Sequence, residues 1–411
     1  MLTSFYTAMS GIGANSLAIN VIGNNLANIN TTAYKGSRTS FAELLGGTSY
    51  ASNGNPNQAG LGAISAGVSP LYSQGSIQST GRSTDVAISG NGFFIVSTGS
   101  GHAYTRTGNF SFSGTGEMVN SDGFTVTGYM ASGGIIGSTL LPITIQGARN
   151  LMPKATTELS VTQNLDSQAE VDSQFSTGIQ VFDSLGLAHT ITLTFTKTGN
   201  LSWNWDVSLP PTDVGGAAGD PPVSIGSGAF TFNSVGSLTS PSENVTLHMA
   251  GLASGAADAD IEFQIYDSNN VSRLTGNAST SAVSSVTQNG YASSALRDVA
   301  IDGSGVIRGV YENGQVNPLA QLAIANFNNP EGLLKFTGNT LVKSSSSGEP
   351  SVGAARTGGR GTVSGSALEL SNVDIAEQFT SMIIAQRGYQ ANSRVISTTD
   401  ELYQESINLK R

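Results

Sequence analysis

Apolar positions along this chain follow two different periods, one at the two ends and another between them. Leu2, Phe5, Met9, Ile12, Ser16, Ile19, Gly23 and Leu26 fall at alternating steps of three and four, the spacing of a coiled-coil seam. The spacing predicts a helix to about Asn28, roughly 35 to 40 Å long at 1.5 Å per residue. No charged side chain precedes Lys35, so Asn, Ser, Thr and Gly occupy the other faces. A terminal helix without a charged face fits burial between subunits better than burial inside one domain.

The far end mirrors this pattern. Ser371, with Asp374 three residues on, reads as an N-cap box, and Asp374 and Glu377 suit the positive end of a helix dipole. The seam is Ile375, Phe379, Met382, Gln386, Tyr389, Ser393, Ile396, Asp400, Tyr403 and Ile407, which predicts about 55 Å of helix reaching Lys410 and Arg411. Gln386, Ser393 and Asp400 recur one heptad apart, and polar residues at seam positions fix register at a cost in stability. Two matched helices at opposite ends most economically pair with each other.

Between the helices the period is two. Asn91-Gly92 separates Val86 to Ile88 from Phe93 to Val96, a hairpin signal, and Tyr104 to Phe112 and Glu117 to Tyr129 continue in short strands. From about Lys154 a second β unit begins. Ile179 and Val181 precede an Asp183-Ser184-Leu185-Gly186 turn, after which Ile191, Leu193 and Phe195 share a face. Leu201, Trp203, Trp205, Val207 and Leu209 alternate as the next strand, and both tryptophans read as sheet core rather than a stacking site. The expected fold is mainly β, with two or more β domains in series and long terminal α-helices pairing as a coiled coil. The expected divisions are 1–30 with 366–411 as a helical domain, 31–70 and 338–365 as extended connectors, 71–153 with 289–337 as an inner β domain, and 154–288 as an outer inserted one.

Composition narrows the function. Among 411 residues only 11% are charged, 51 are glycine and 12 proline, so the surface is built from Ser, Thr, Asn and Gly and the turns are many. A net charge of −10 lacks the basic footprint that nucleic acid or an anionic membrane surface requires. Without cysteine there is no disulfide, thiolate metal site or cysteine nucleophile, and His102, His189 and His248 lie too far apart in sequence for a short metal-ligand spacing. The chain shows no phosphate-binding loop and no Gly-x-Ser-x-Gly elbow, and Asp258 to Glu262 lacks the glycine of a calcium loop. No catalytic residue, cofactor or metal is expected. Polar residues interrupt every apolar run near the N-terminus, against both a cleaved secretory signal and a membrane span.

Particular residues then carry a resemblance. Asn24-Asn25-Leu26-Ala27-Asn28-Ile29-Asn30-Thr31-Thr32-Ala33-Tyr34-Lys35 resembles the opening of bacterial flagellar rod and hook proteins, with one departure at Ala33, where that family carries glycine. Thr80 to Ile88 followed by Gly90-Asn91-Gly92-Phe93-Phe94, and Tyr104 to Phe110, resemble the family's shared β domain. Ser371 to Asp374 and Ala385-Gln386-Arg387-Gly388-Tyr389-Gln390-Ala391-Asn392 are similar to its C-terminal helix. Phe175 to Gly186, Thr194 to Lys197 and Asn328 to Leu333 resemble the outer domain of its hook-type members, which the shorter rod-type members lack.

The resemblance implies a non-enzymatic structural subunit of the flagellar hook. Such a subunit self-assembles into a curved flexible tube that transmits torque from rod to filament and carries a central export channel. It implies a homopolymer outside the cell, meeting rod, hook-cap and hook-filament junction proteins, and exported uncleaved by the flagellar type III apparatus, with no nucleic acid and no membrane insertion. The self-assembly residues would be Leu2, Phe5, Met9, Ile12, Ile19 and Leu26, with Asn24, Asn25 and Asn28, on the first helix. On the second they would be Ile375, Phe379, Met382, Gln386, Tyr389, Ser393, Ile396, Asp400, Tyr403 and Ile407. Two alternatives stay open: a distal rod subunit, and a secreted β-rich adhesin suggested by the Ser/Thr/Gly-rich surface.

Overall fold

Strands fill most of the chain between a helix at each end. The computed structural model describes residues 2–50, 56–99 and 101–408. Helix α1 spans Leu2–Ala27 and helix α2 spans Ile375–Asn408. No helix among the described residues is long and apolar enough to cross a membrane. The chain divides into two compact units, one of Met1–Ala148, Asp298–Val310 and Val316–Arg411, the other of Arg149–Arg297 and Tyr311–Gln315.

The second unit is two five-stranded sheets around one core. The first sheet runs antiparallel through Gln174–Phe182, Ala188–Gly199, Ser202–Leu209, Val223–Phe232 and Leu238–Ser240. The second is mixed, with Glu158–Asn164 parallel to Ala259–Gln264 and antiparallel to Ala282–Gln288. The alternation in the sequence places Ile179, Val181, Ile191, Leu193, Phe195, Trp203 and Trp205 on the inner face of the first sheet, all buried. Trp205 stacks on Phe230 at 5.7 Å and meets Phe263 of the second sheet edge-on at 6.3 Å, so the tryptophans are core, as their spacing indicates.

In the first unit, Phe93–Ser97 pairs with His102–Thr105, Thr125–Ser132 and Ile324–Asn326, all antiparallel. Its core gathers Phe93, Ile95, Tyr104, Ala323, Ala325, Phe327 and Leu333. The hairpin expected at Asn91-Gly92 does not form. Val86–Ser89 pairs instead with Thr362–Gly365, because Gly90 and Gly92 take φ of +99° and +123° and turn the chain away between two different sheets.

Both expected connectors are paired strands. Within 31–70 lies a long antiparallel hairpin of β1 (Ser37–Tyr50) and β2 (Pro56–Pro70), paired from Ser37 opposite Pro70 to Tyr50 opposite Pro56 with three register shifts between. Within 338–365, Thr340–Val342 pairs with His102–Thr105 and Ser351–Gly353 with Ile324–Asn326. The chain is extended there as expected, but beside an open sheet edge its backbone groups are satisfied by pairing.

Candidate functional site

Neighbouring parts of the sequence tie the roots of the two helices together. Asn25, 2% exposed, donates Nδ2 to the Ser37 carbonyl at 2.7 Å and accepts the Ser37 amide at Oδ1 at 2.9 Å, so one amide side chain closes the turn after α1. The same Nδ2 donates to Gln378 of α2 at 3.0 Å, and the Tyr34 hydroxyl donates to Asn24 at 2.7 Å. Asn28 donates to the Asn24 carbonyl at 2.9 Å and accepts from Thr31 at 3.1 Å. Asn372 accepts the Gly36 amide at 2.8 Å and donates to the Leu71 carbonyl at 2.8 Å. Ala33 keeps a left-handed φ of +55° despite its Cβ, with its amide donating to the Glu369 carbonyl at 2.8 Å.

Beneath this lies a buried charge cluster. The Glu369 carboxylate is fully enclosed and accepts from Lys35 Nζ at 2.7 Å, the Gly75 amide at 2.9 Å and an Arg106 nitrogen at 3.4 Å. Arg106 donates further to the Gly90 carbonyl at 2.6 Å. Burial pulls the Lys35 ammonium and the Arg106 guanidinium below their usual ranges, opposed by the carboxylate between them.

α1 and α2 run antiparallel, and most of their contact lies one position N-terminal to the expected seams, with Ile19 and Met382 of those seams also packed in it. In α1 the buried residues are Ala8, Ala14, Ala18, Ile22 and Asn25; Ala18 and Ile22 pack with Ala385 and Met382 of α2. In α2 Ala385 and Thr399 are buried, and Gln378, Met382, Gly388, Asn392 and Ile396 are half-buried. One residue is about 100° of rotation, which turns most of the expected α2 seam out of the pair, while Ile19 and Met382 still pack against Ala18, Ile22 and Ala385. Phe5, Ile12, Ile19 and Leu26 are half-buried, and Met9 and Asn24 are exposed. Ile375, Phe379, Gln386, Tyr389, Ser393, Asp400, Tyr403 and Ile407 are exposed, and Met382 and Ile396 half-buried. The side chain of Leu2 and residues 409–411 lie outside the described residues.

The reason is size. A seam assigned by large apolar side chains assumes that all of them face the partner helix, whereas here alanine and glycine share the inward face with Ile19, Ile22 and Met382 and let the backbones approach. The cap differs too: Asp374, rather than Ser371, accepts the Ala376 and Glu377 amides at 2.8 and 3.0 Å. β2 covers another side of α1, where Ser10 Oγ accepts the Ala63 amide at 3.2 Å and a Cβ on Gly62 would lie 2.1 Å from that oxygen. Sequence reasoning missed Lys35, Arg106, Glu369 and Asn372. It also missed Gly11, Asn15, Gly388 and Asn392, whose matching spacing in the two helices was the available signal.

Many other large apolar residues of the two helices are left exposed. Met9 is 53% exposed, Phe379 48%, Ile383 57%, Ile384 67% and Leu402 55%, an arrangement a lone soluble chain has little use for.

Comparison with known proteins agrees along the whole chain. Residues 5–35 match the flagella basal body rod protein family, 87–164 the flagellar hook protein FlgE/F/G D1 domain, 150–291 the flagellar basal body protein FlaE D2 domain, and 364–409 the flagellar basal body rod FlgEFG protein C-terminal family. The chain is 32% identical to the flagellar hook protein FlgE of Treponema pallidum, over all of both chains. It is 34% identical to that of Escherichia coli over 99% of this chain and all of the other. In fold it is similar to the Helicobacter pylori flagellar hook protein FlgE2, with a TM-score of 0.53 at 15% identity over 70% of this chain and 98% of that one.

Proposed function

This chain belongs to the flagellar hook protein family, and on that premise we propose that it is the structural subunit that polymerises into the hook. The hook is a curved, flexible tube that carries torque from rod to filament around a central export channel. The observation that carries the assembly step is the helix pair's small core of Ala18, Ile22 and Ala385, which leaves many large apolar residues of both helices exposed. Neighbouring copies would cover Met9, Phe379, Ile383 and Ile384, and the charge-free first helix suits a wall past which unfolded chains are exported without electrostatic capture. The polymer would stand outside the cell at the basal-body end of the flagellum. It would meet the rod, the hook cap and the hook-filament junction proteins, after export by the flagellar type III apparatus.

Nothing in the comparisons favours the distal rod subunit or the secreted adhesin. Electron microscopy of polymer grown from the purified chain tests the reading. Curved tubes are expected; straight tubes would point to the rod, and failure to polymerise under any condition would remove the assembly role.

A further inference from the structure

The same five-residue pattern, Gly-x-x-Ala-Asn, occurs once in each terminal helix, at Gly11 to Asn15 and at Gly388 to Asn392. The fold sets these two copies against each other. Each asparagine donates Nδ2 to the carbonyl of its own glycine one turn back, at 2.8 Å in α1 and 3.0 Å in α2, which pins its rotamer. Each also fills the notch left by the opposite glycine. A Cβ on Gly11 would stand 2.6 Å from Asn392 Nδ2, and one on Gly388 would stand 2.8 Å from Asn15 Oδ1.

We propose that this crossed pairing of Gly11 with Asn392 and Asn15 with Gly388 is a register lock that admits one axial alignment of the terminal helices. A slide of one turn, about 5.4 Å, is disfavoured in both directions. One direction sets Asn15 against Asn392 and Gly11 against Ile396. The other sets Gly11 against Gly388, leaving a gap, and drives Asn15 onto Ile384. Alignment matters because it decides how the exposed apolar residues of α1, such as Met9, are placed along the helix relative to those of α2, such as Phe379, Ile383 and Ile384, for a neighbouring subunit. In that respect the lock rests on the assembly reading above, and Gly11, Asn15, Gly388 and Asn392 are its positioning residues. Gln386, Ser393 and Asp400 are exposed in the single chain and so do not set the register within this pair.

The test exploits opposite signs. Gly11→Ala and Gly388→Ala each raise intrinsic helix propensity, so without a lock each raises the melting temperature of the helical circular dichroism signal. With the lock each lowers it, and ordered tubes are lost in electron micrographs. Crossed rescue identifies the pairing: Asn392→Ala restores helix melting and tubes to Gly11→Ala but not to Gly388→Ala, and Asn15→Ala does the reverse. Alanine variants that melt at or above the native temperature and form normal tubes would overturn the lock, as would rescue that ignores which asparagine is removed. If the native full-length chain forms no polymer, the assembly reading fails by itself, while the melting pattern still decides the lock.

Discussion

Replacing Glu369 with alanine removes the single carboxylate that holds Lys35 and Arg106 together. Both cations are about nine-tenths buried and the carboxylate fully so, so neither reaches bulk water when its partner goes. Breaking a buried pair by deleting one member costs about 3 to 5 kcal/mol, most of it the penalty of the stranded charge. Here one deletion strands two cations and also leaves the Gly75 amide without its acceptor. At roughly 2 to 4 °C per kcal/mol for a unit of this size, the first unit's thermal transition falls by about 10 °C or more. Glu369→Gln keeps the shape and one acceptor, but turns an amide donor toward one of the two cations, so its loss is intermediate. Calorimetry of the full chain reads both. Transitions within about 2 °C of the native ones in Glu369→Ala would refute the view that this cluster binds the helix roots to the sheet.

Two further outcomes are expected. Burial, with Glu331 adding to it, lifts the Tyr72 hydroxyl from 10.0 to about 12; the folded state then holds its proton longer than the unfolded chain. Stability is therefore undiminished below pH 10 and declines as pH rises toward 12, and a melting series over that range should show a shallower decline in Tyr72→Phe. In the second unit, Gln163 is 2% exposed and neither amide atom finds a hydrogen-bond partner among the described residues. Gln163→Met keeps the volume and removes the polar penalty, which should raise stability by about 1 to 3 kcal/mol in urea unfolding; a loss would show that the amide is satisfied.

The elements most legible in the sequence were those specified by a local rule. Alternation placed Trp203 and Trp205 in a core, and the absence of charge before Lys35 marked an unusual terminal helix. Less legible were features that depend on what lies across the fold. Gly90 and Gly92 flank Asn91 in a hairpin-like dipeptide context, but the strand that pairs with Val86–Ser89 arrives from residues 362–365. Lys35, Arg106 and Glu369 are three single charges far apart in the chain, and nothing local announces that they meet. The helix contact departs in part from the expected seam for a related reason. Hydrophobic periodicity finds the most apolar face, and in a chain that polymerises the most apolar face need not be the intramolecular one.

That departure gives the proposed polymer an energetic rationale. Fully burying a large apolar side chain contributes about 1.5 to 3 kcal/mol, and Met9, Ile375, Phe379, Ile383, Ile384, Tyr389, Leu402, Tyr403 and Ile407 are each about half exposed. Covering them yields on the order of 10 kcal/mol per subunit, whereas association costs an estimated 4 to 15 kcal/mol in lost freedom before any contact is counted. The two are close. A single neighbour touching one side of the pair covers only part of the stripe, so a dimer does not recover the cost, while a lattice site with neighbours on several sides does. A helix pair that kept these residues inside would be a more stable monomer with little left to drive growth; with a small core around Ala18, Ile22 and Ala385 instead, the same residues favour addition at the end of an existing tube over association in solution.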